Sequence, residues 1–318
     1  MSITARIDAI TDIPPAYRVP APPAPRSVKI ELTGRCNYRC GFCALRMREV
    51  QPKGDIDFEL FKRITTEMRA AGVEEIGLFF LGESFMAPEL LVQAIRWCKG
   101  ELGVPYVFLT SNASLADPEE VEECMAAGLD SLKWSVNAAD DAQFEHVMGV
   151  RAKYYRKALR NIREAWEVRR WGKYQTRLYA SSIRLDGAQA ERMATLLAMH
   201  VRPYVDELYE LPLYSMGSVA TQREAELGYR PTAGNQGRIG ALRAPLPCWS
   251  AFTEGHVTAD GILSACCFDA DGRFAMADLK EQPFMEAWHA AQFQGLRAAH
   301  LRGDVSGTVC ADCIAYRA

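Results

Sequence analysis

The strongest constraint on the fold is a regular alternation of apolar, strand-like runs with amphipathic helical segments between residues 27 and 211. The apolar runs predict six strands: Ser27–Leu32, Glu75–Leu81, Tyr106–Thr110, Ser131–Val136, Thr176–Ile183 and Val205–Leu211. Helical periodicity predicts the helices between them: Asp57–Ala71, Pro88–Cys98, Pro118–Ala127, Tyr154–Arg170 and Ala188–His200. Such alternation is typical of parallel β/α units. Six units are fewer than the eight of a full barrel of about 250 residues, so we expect an α/β fold with a partial (β/α)6 TIM-like barrel.

The amino-acid composition changes at both ends of the predicted barrel region. Residues 1–26 contain six prolines between 14 and 25, which predicts an extended leader. The barrel is assigned to 27–214, and the Gly- and Arg-rich stretch 215–245 to a linker. Residues 246–318 predict a small C-terminal α+β domain, with two short strands near 256–258 and 262–264 and a helix over Pro283–Ala298.

Composition excludes several classes of function. With 37 basic and 40 acidic residues the net charge is -3, which gives no case for nucleic-acid binding. No window approaches the roughly 20 apolar residues of a membrane span, and no secretory signal is present. Ten cysteines in a chain of this kind indicate a cytoplasmic metalloprotein rather than a disulfide-bonded one.

Three of these cysteines, Cys36, Cys40 and Cys43, follow the first strand within eight residues. In a parallel barrel the loop after a strand lies at the C-terminal face, where active sites are built. Zinc sites and all-cysteine iron–sulfur clusters normally take four protein ligands. Three thiolates therefore imply either a distant fourth ligand or an iron left open for another molecule.

This Cys-x3-Cys-x2-Cys motif, with Phe42 before its last cysteine, resembles that of the radical S-adenosylmethionine enzymes. The resemblance implies a 4Fe–4S cluster whose open iron binds S-adenosylmethionine. It also implies that one-electron cleavage of this cofactor gives a 5′-deoxyadenosyl radical, which removes a hydrogen atom from the substrate.

The same resemblance implies a set of cofactor-binding residues at the ends of successive strands. Gly82 and Glu83 stand where the family has a Gly-Gly-Glu-like motif, although Leu81 replaces the first glycine. Arg184 is expected to pair with the cofactor carboxylate or the substrate, with a surface ion pair as the alternative. The full set expected to bind the cofactor is Phe42, Gly82, Glu83, Asn112, Ser135, Asn137, Ser182 and Arg184.

A second set of cysteines lies in the C-terminal region: Cys248, Cys266, Cys310 and Cys313. Four ligands make a closed site, and by spacing alone zinc competes with an iron–sulfur cluster. Beside the first motif the set resembles a Twitch domain, the shortened SPASM domain, and so implies a second 4Fe–4S cluster. Cys267 is left over, and is either a hydrogen donor to a substrate radical or a spare buried thiol.

Three further expectations concern residues outside these motifs. Cys98 and Cys124 lie on predicted helices and are expected in the core. His256 is kept as a site candidate, whereas His300 is expected on a helix surface. Trp249 and Phe252, which flank Cys248, are expected either to shield the second cluster or simply to pack.

The resulting hypothesis is a radical enzyme that oxidises or epimerises a sugar, cyclitol or aminoglycoside, similar to butirosin-type cyclitol dehydrogenases and aminoglycoside epimerases. The small-molecule substrate rests on resemblance, and a flavodoxin- or ferredoxin-type reductant is expected as a partner. A maturase acting on a ribosomally made peptide is the alternative within enzymes, and an iron–sulfur electron carrier is the alternative of another class.

Overall fold

A computed structural model describes residues 2–43, 45, 54–214, 238 and 246–313. Its centre is a nine-stranded sheet in the order β6-β5-β4-β3-β2-β1-β7-β8-β9. The strands are β1 (Ser27–Ile30), β2 (Glu75–Gly77), β3 (Tyr106–Ser111), β4 (Ser131–Ser135), β5 (Arg177–Ile183), β6 (Glu207–Leu211), β7 (Glu254–Val257), β8 (Ile262–Ser264) and β9 (Ala275–Asp278). The first six are parallel neighbours, which confirms the partial barrel.

Helices cover the outside of this barrel and the C-terminal strands. They are α1 (Ile3–Thr11), α2 (Phe58–Ala70), α3 (Pro88–Arg96), α4 (Pro118–Ala126), α5 (Asp141–Met148), α6 (Lys153–Gly172), α7 (Gly187–His200), α8 (Phe284–Trp288) and α9 (Ala291–Arg302). Among the residues described, no helix is long and apolar enough to cross a membrane.

Local sequence signals account for the ends of the barrel helices. The Asp57 side chain accepts from the Leu60 amide at the start of α2, and Asp117 forms a capping box with Glu120 at the start of α4. Both helices are followed by a glycine with positive φ, Gly72 at 99° and Gly128 at 101°. An L-side chain is strained there, so these glycines end the helices as predicted.

The predicted strand Glu75–Leu81 is shorter in the structure, ending at Gly77. Leu78 still donates to the Phe108 carbonyl, but the amides of Leu81 and Gly82 donate to the Glu31 carboxylate instead of continuing the ladder. The chain therefore leaves the sheet early because a buried side chain offers its amides another acceptor.

The C-terminal region continues the barrel sheet instead of forming a sheet of its own. Strand β7 pairs in parallel with β1, with Lys29 opposite His256, and β8 and β9 follow as antiparallel neighbours. One apolar core runs through both regions and includes Phe61 of α2 together with Phe284 and Trp288 of α8. The α+β character predicted for this region is confirmed, and the shared sheet fixes it against the barrel.

The single C-terminal helix predicted over Pro283–Ala298 is wrong. The structure has two helices, α8 and α9, separated at His289 and Ala290, where Ala290 is extended with ψ of 143°. Beside the break, Trp288 donates to the Pro23 carbonyl at 2.9 Å and His289 to that of Pro22 at 2.7 Å. Tertiary contacts with the proline-rich segment thus override helical periodicity.

The prediction of an extended leader over residues 1–26 is also wrong, because residues 3–11 form helix α1. This helix lies across the N-terminal ends of the barrel strands. Its Ile3 amide donates to Glu207, the first residue of β6, and Arg6 pairs with Glu75, the first residue of β2. Arg6 also stacks on the ring of Tyr106, the first residue of β3. The segment is a plug that closes the bottom of the barrel. The linker predicted at 215–245 lies outside the described residues, except for Arg238.

We predict that Thr253→Val loosens this plug. The buried Thr253 hydroxyl donates to the Ile10 carbonyl at 2.6 Å, and valine keeps the shape while leaving that carbonyl without its donor. Loss of a buried hydrogen bond of this kind costs about 1–2 kcal/mol. Anaerobic urea unfolding would measure the loss in unfolding free energy. Thr66→Val is the matched control, since the Thr66 hydroxyl is exposed on α2; equal losses in both variants would contradict the prediction.

Candidate functional site

The loop of Cys36, Cys40 and Cys43 is held against helix α5 by backbone hydrogen bonds. The Arg39 amide donates to the Met148 carbonyl at 2.9 Å, and the Gly41 amide to that of Val147 at 2.8 Å. Phe42 is buried in an apolar cluster with Phe144 and Tyr155 beneath the loop. The sequence analysis did not predict α5, yet this helix fixes the conformation of the cysteine loop.

Burial disfavours thiolates in this loop in the absence of a metal. Burial, together with the negative charge of Glu83, raises the pKa of Cys36 to about 12. A thiolate at such a position needs a strong positive partner, which the irons of a cluster supply. The donor set and its electrostatics therefore fit an iron–sulfur cluster.

Glu83 is a buried carboxylate in the loop after β2, 3% exposed. It accepts from the Asn112 amide at 2.8 Å and from the Ser111 hydroxyl at 2.9 Å, both at the end of β3. Burial raises its pKa, and these hydrogen bonds partly offset that effect. The Glu83 side chain therefore joins the loop after β2 to the end of β3, and it is not a solvent-exposed loop carboxylate.

Gly82 lies in a close contact between two backbones. A Cβ on Gly82 would lie 1.9 Å from the Thr33 carbonyl oxygen and 2.9 Å from that of Arg35. The next amide, of Glu83, donates to the same Arg35 carbonyl at 2.8 Å. Only glycine fits here, and the contact presses the loop after β2 against the start of the cysteine loop.

Three predicted cofactor residues, Asn112, Ser135 and Asn137, come together in one cavity of about 80 Å³ beside Tyr38 and Cys40. We call it the mouth cavity. The Asn112 side chain also donates to Asn37 of the cysteine loop at 2.9 Å, so the wall of this cavity is tied to the cysteines. The structure thus brings these residues next to the first cysteine set.

Ser182 and Arg184 do not line the mouth cavity. Side chains alternate along a strand, and on β5 it is Ser181 that faces the lumen and receives a hydrogen bond from Lys133, while the Ser182 hydroxyl is buried away from it. Arg184 forms an ion pair with Glu210 at 3.4 Å and is 64% exposed. This pair is the surface alternative considered from the sequence.

The second cysteine set lines a single cavity with His300, in the part of the chain that the structure describes. We call it the four-cysteine cavity; it is lined by Cys248, Cys266, Cys310 and Cys313. Burial, together with Cys248 and Cys313, raises the pKa of Cys310 well above its ordinary range. Within the described residues no three potential ligands form a single-ion group. Four thiols around one cavity are a ligand set that fits either a 4Fe–4S cluster or zinc.

The burial of single residues tests three of the smaller expectations. His300 is 1% exposed and accepts from the Cys248 amide through Nδ1, so its expected surface position is wrong. Cys98 and Cys124 are 0% and 1% exposed and belong to the core, as predicted. Trp249 and Phe252 are buried beside Cys248, where they contribute to the apolar core.

A third cavity, of about 200 Å³, lies inside the barrel and is bordered by the α1 plug and, at Trp249 and Cys267, by segments that carry the second cysteine set. We call it the lumen cavity. Its wall includes Lys29, Thr110, Lys133, Tyr209, Trp249 and Cys267. Cys266 lines the four-cysteine cavity while Cys267 lines the lumen cavity, so the two adjacent cysteines serve different spaces.

His256 lies beneath the lumen wall in a chain of buried charges. The Glu254 carboxylate bonds to His256 Nε2 at 2.9 Å and pairs with Lys29 at 2.8 Å. Burial lowers the pKa of His256, whereas Lys29 and His256 hold the pKa of Glu254 below its ordinary range. His256 is therefore neutral at pH 7 and serves to fix Glu254.

Family models match the two halves of this arrangement. The radical SAM superfamily model matches residues 30–176, which contain the first cysteine set. A model of the iron–sulfur cluster-binding SPASM domain matches residues 248–314, which contain the second. The chain is a radical SAM protein with a SPASM domain. Its cofactors are accordingly S-adenosylmethionine and 4Fe–4S clusters.

Two curated relatives show how far sequence similarity extends. The GTP 3′,8-cyclase of Synechococcus elongatus is 30% identical over 127 residues, 39% of this chain and 38% of that protein. The PqqA peptide cyclase of Methylobacterium nodulans is 30% identical over 132 residues, 42% of this chain and 34% of that protein. The matched parts span less than half of either relative, so the activities of these whole proteins do not transfer to this radical SAM protein.

Solved structures match over most of the chain. BtrN in complex with AdoMet and 2-DOIA has a TM-score of 0.59 at 15% identity, covering 90% of this chain and 91% of that chain. Streptococcus suis SuiB bound to S-adenosylmethionine has a TM-score of 0.65 at 16% identity, covering 92% and 72%. At these identities the likeness establishes the fold.

Sequence reasoning missed Glu31, Lys29 and Lys133. A signal was present for the lysines: each stands between two apolar residues of a barrel strand, Val28 and Ile30 or Leu132 and Trp134. Alternation then places the lysine on the lumen side of the strand. No local signal distinguishes Glu31, whose partners lie about 50 and about 230 residues away in sequence.

We predict that Gly82→Ala disrupts the mouth of the barrel. Since the new methyl group meets backbone atoms, the loop must shift, and such overpacking costs about 1–3 kcal/mol. We expect lower stability in urea and at least roughly tenfold weaker S-adenosylmethionine binding by calorimetry. Gly295→Ala in α9, where the methyl group meets nothing within 4 Å, is the control. There alanine should stabilise the helix by about 0.5–1 kcal/mol. Wild-type cofactor affinity in Gly82→Ala would refute the role of this contact.

We predict that Glu83→Gln separates stability from cofactor binding. Burial raises the pKa of Glu83 and so disfavours its ionised form. At pH 7 the ionised carboxylate therefore lowers the stability of the ligand-free protein, and this loss disappears as the pH falls through the folded-state pKa. Glutamine removes the charge, so stability at pH 7 should be unchanged or higher. Affinity for S-adenosylmethionine should fall about tenfold or more, because a charge-assisted hydrogen bond to its amino group is lost. Glu89→Gln, exposed on α3, should leave both quantities unchanged.

Proposed function

We propose that this protein catalyses a radical epimerisation of a small hydroxylated molecule, a sugar or cyclitol, bound in the lumen cavity, with Cys267 as the hydrogen donor. The observation that supports this proposal is the position of Cys267 on the wall of the lumen cavity, where its side chain also contacts that of Cys266, which lines the four-cysteine cavity. A thiol placed as a fifth cluster ligand or packed in the core would not need to face this space.

Short stretches of chain link the lumen cavity to both cofactor sites. Thr110 on its wall directly precedes Ser111 and Asn112, which bond to Glu83. Trp249 and Cys267 on its wall are each adjacent in sequence to a cysteine of the second set. The proposal requires that a substrate in this cavity also meet a radical generated at the mouth.

The proposed reaction has three steps: hydrogen abstraction from the substrate, hydrogen delivery by Cys267 and regeneration of the thiol. When bound, the cofactors supply a 5′-deoxyadenosyl radical that takes a hydrogen atom from a substrate C–H bond. The Cys267 S–H bond then breaks, and its hydrogen atom is delivered to the opposite face of the same carbon. The Cys267 thiyl radical is returned to the thiol by one proton and one electron from a flavodoxin- or ferredoxin-type reductant. The carbon is inverted without net oxidation.

Oxidation is the outcome of the same first step when no thiol delivers hydrogen. The substrate radical of a carbinol would then lose one electron and one proton to give a carbonyl, and a cluster held by the second cysteine set would accept the electron. The protein would therefore act as an epimerase when Cys267 delivers a hydrogen atom to the substrate radical, and as an oxidoreductase when it does not.

A peptide substrate is the second candidate, and specific similarities favour it. The curated relatives include PqqA peptide cyclases, and SuiB has been solved bound to its precursor peptide SuiA. The lumen cavity of about 200 Å³ is smaller than the roughly 300–1,000 Å³ typical of drug-sized ligands. It could hold one side chain of a peptide, whereas a sugar would fill it.

We predict that reconstituted protein forms 5′-deoxyadenosine when S-adenosylmethionine and a reductant are added without oxygen. With a panel of sugars and cyclitols in D₂O, the wild type should place one deuterium at the inverted carbon, because the Cys267 thiol exchanges with solvent. Cys267→Ala should still form 5′-deoxyadenosine but yield oxidised product instead, by mass spectrometry and NMR. Cys124→Ala, a core cysteine of α4, is the control and should behave as the wild type. Deuterated product from Cys267→Ala would exclude this donor, and absence of 5′-deoxyadenosine would refute the enzyme hypothesis.

A further inference from the structure

Lys133 is a cation inside the barrel for which the described residues provide no acidic partner. It stands in the middle of β4 between Leu132 and Trp134, both fully buried, and its side chain lines the lumen cavity. Within the described part of the chain its hydrogen bond is to the Ser181 hydroxyl at 3.3 Å, and it forms no ion pair. A hydroxyl oxygen solvates an ammonium group only partly.

The other charges of the lumen wall are paired. Lys29 pairs with Glu254, Arg6 with Glu75, and Arg238 with Asp8. His256 behind Glu254 is neutral, since burial lowers its pKa. Among the described residues the lumen therefore carries one uncompensated positive charge, that of Lys133.

The ammonium group is present at neutral pH although its surroundings oppose it. Burial and the charge of Lys29 lower the pKa of Lys133 to about 8, so the protonated form still predominates at pH 7. A buried cation without a counter-ion is costly, and an anion entering the cavity would remove that cost. Natural proteins seldom retain such a group without a use for it.

We propose that Lys133 is a substrate-binding residue that pairs with an oxyanion, a carboxylate or a phosphate, carried by the substrate in the lumen cavity. This inference rests on the proposed function only in taking the lumen cavity as the substrate site. The hydroxyls of Ser181 and Tyr209, which contact each other beside Lys133, provide further hydrogen bonds for such a group. The substrate class is thereby narrowed to a sugar acid or a sugar phosphate.

The same charge selects against amine-bearing substrates. An aminoglycoside would bring ammonium groups next to Lys133 and Lys29 in a space of low dielectric constant, where like charges repel strongly. The expectation of an aminoglycoside, which came from resemblance, is therefore disfavoured by the electrostatics of this cavity.

The cofactor carboxylate is the alternative partner of Lys133. The mouth cavity, where Asn112, Ser135 and Asn137 are gathered, is not lined by Lys133, although Lys133 is two residues before Ser135 on the same strand. The two assignments predict different binding behaviour for a charge-neutral variant, and binding can be measured without turnover.

The experiment compares the binding of four matched monosaccharides to anaerobically reconstituted protein saturated with S-adenosylmethionine. The probes are glucuronate, glucose 6-phosphate, glucose and glucosamine, measured by quenching of tryptophan fluorescence and by calorimetry. We expect one of the two anionic probes to bind at least about tenfold more tightly than glucose, and glucosamine more weakly than glucose. Which anion binds better distinguishes a carboxylate from a phosphate site.

Variants assign the preference to Lys133. Lys133→Met should abolish the advantage of the anionic probe over glucose, and Lys133→Arg should keep it within about threefold. Lys157→Met, which removes a surface lysine paired with Asp117, should bind all probes as the wild type does. S-adenosylmethionine affinity is measured in every variant.

Three outcomes would overturn the proposal. They are equal binding of the anionic and neutral probes by the wild type, an anion preference retained in Lys133→Met, or a loss in that variant confined to S-adenosylmethionine. The last result would assign Lys133 to the cofactor. Because these measurements need no turnover, failure here leaves the proposed radical reaction intact, and absence of 5′-deoxyadenosine leaves the binding result intact.

Discussion

The arrangement of this protein depends on a buried carboxylate that joins three segments at the barrel mouth. Glu31, 2% exposed, accepts from the amides of Leu81 and Gly82 after β2 and from the Ala259 amide in the β7–β8 turn. Beside it, the contact of Gly82 with the Thr33 carbonyl brings the loop after β2 against the cysteine loop. Both domains therefore share one framework, and the two cysteine sets take fixed places around the lumen.

Charge is distributed unevenly along the barrel axis. The carboxylates of Glu31 and Glu83 lie at the mouth beside the first cysteine set. Lys29 and Lys133 line the lumen cavity, and of these two Lys133 has no acidic partner among the described residues. In our proposal this order separates the site of a cationic cofactor from that of an anionic substrate. Helix α1 closes the lumen from the other end.

Much of the fold was predictable because parallel β/α units have recognisable local sequence patterns. The six barrel strands follow from apolar runs, and the ends of α2 and α4 follow from their caps and glycines. One error was a missed local signal: residues 3–11 precede the first proline, and Ser2 caps their helix by accepting from the Ala5 amide. The other error arose where long-range contacts override local preference. The C-terminal helix breaks at Ala290, where its neighbours bond to the leader.

The sequence by itself determined the class of chemistry: the spacing of Cys36, Cys40 and Cys43 marks the radical SAM motif, since those three ligands must come from one short loop. The tertiary structure alone decided where each group faces. Cys267 lies on the wall of the lumen cavity, Ser181 and not Ser182 faces the barrel interior on β5, and Lys133 has no acidic partner among the described residues. These outcomes depend on strand register and on distant segments meeting, which no local pattern encodes.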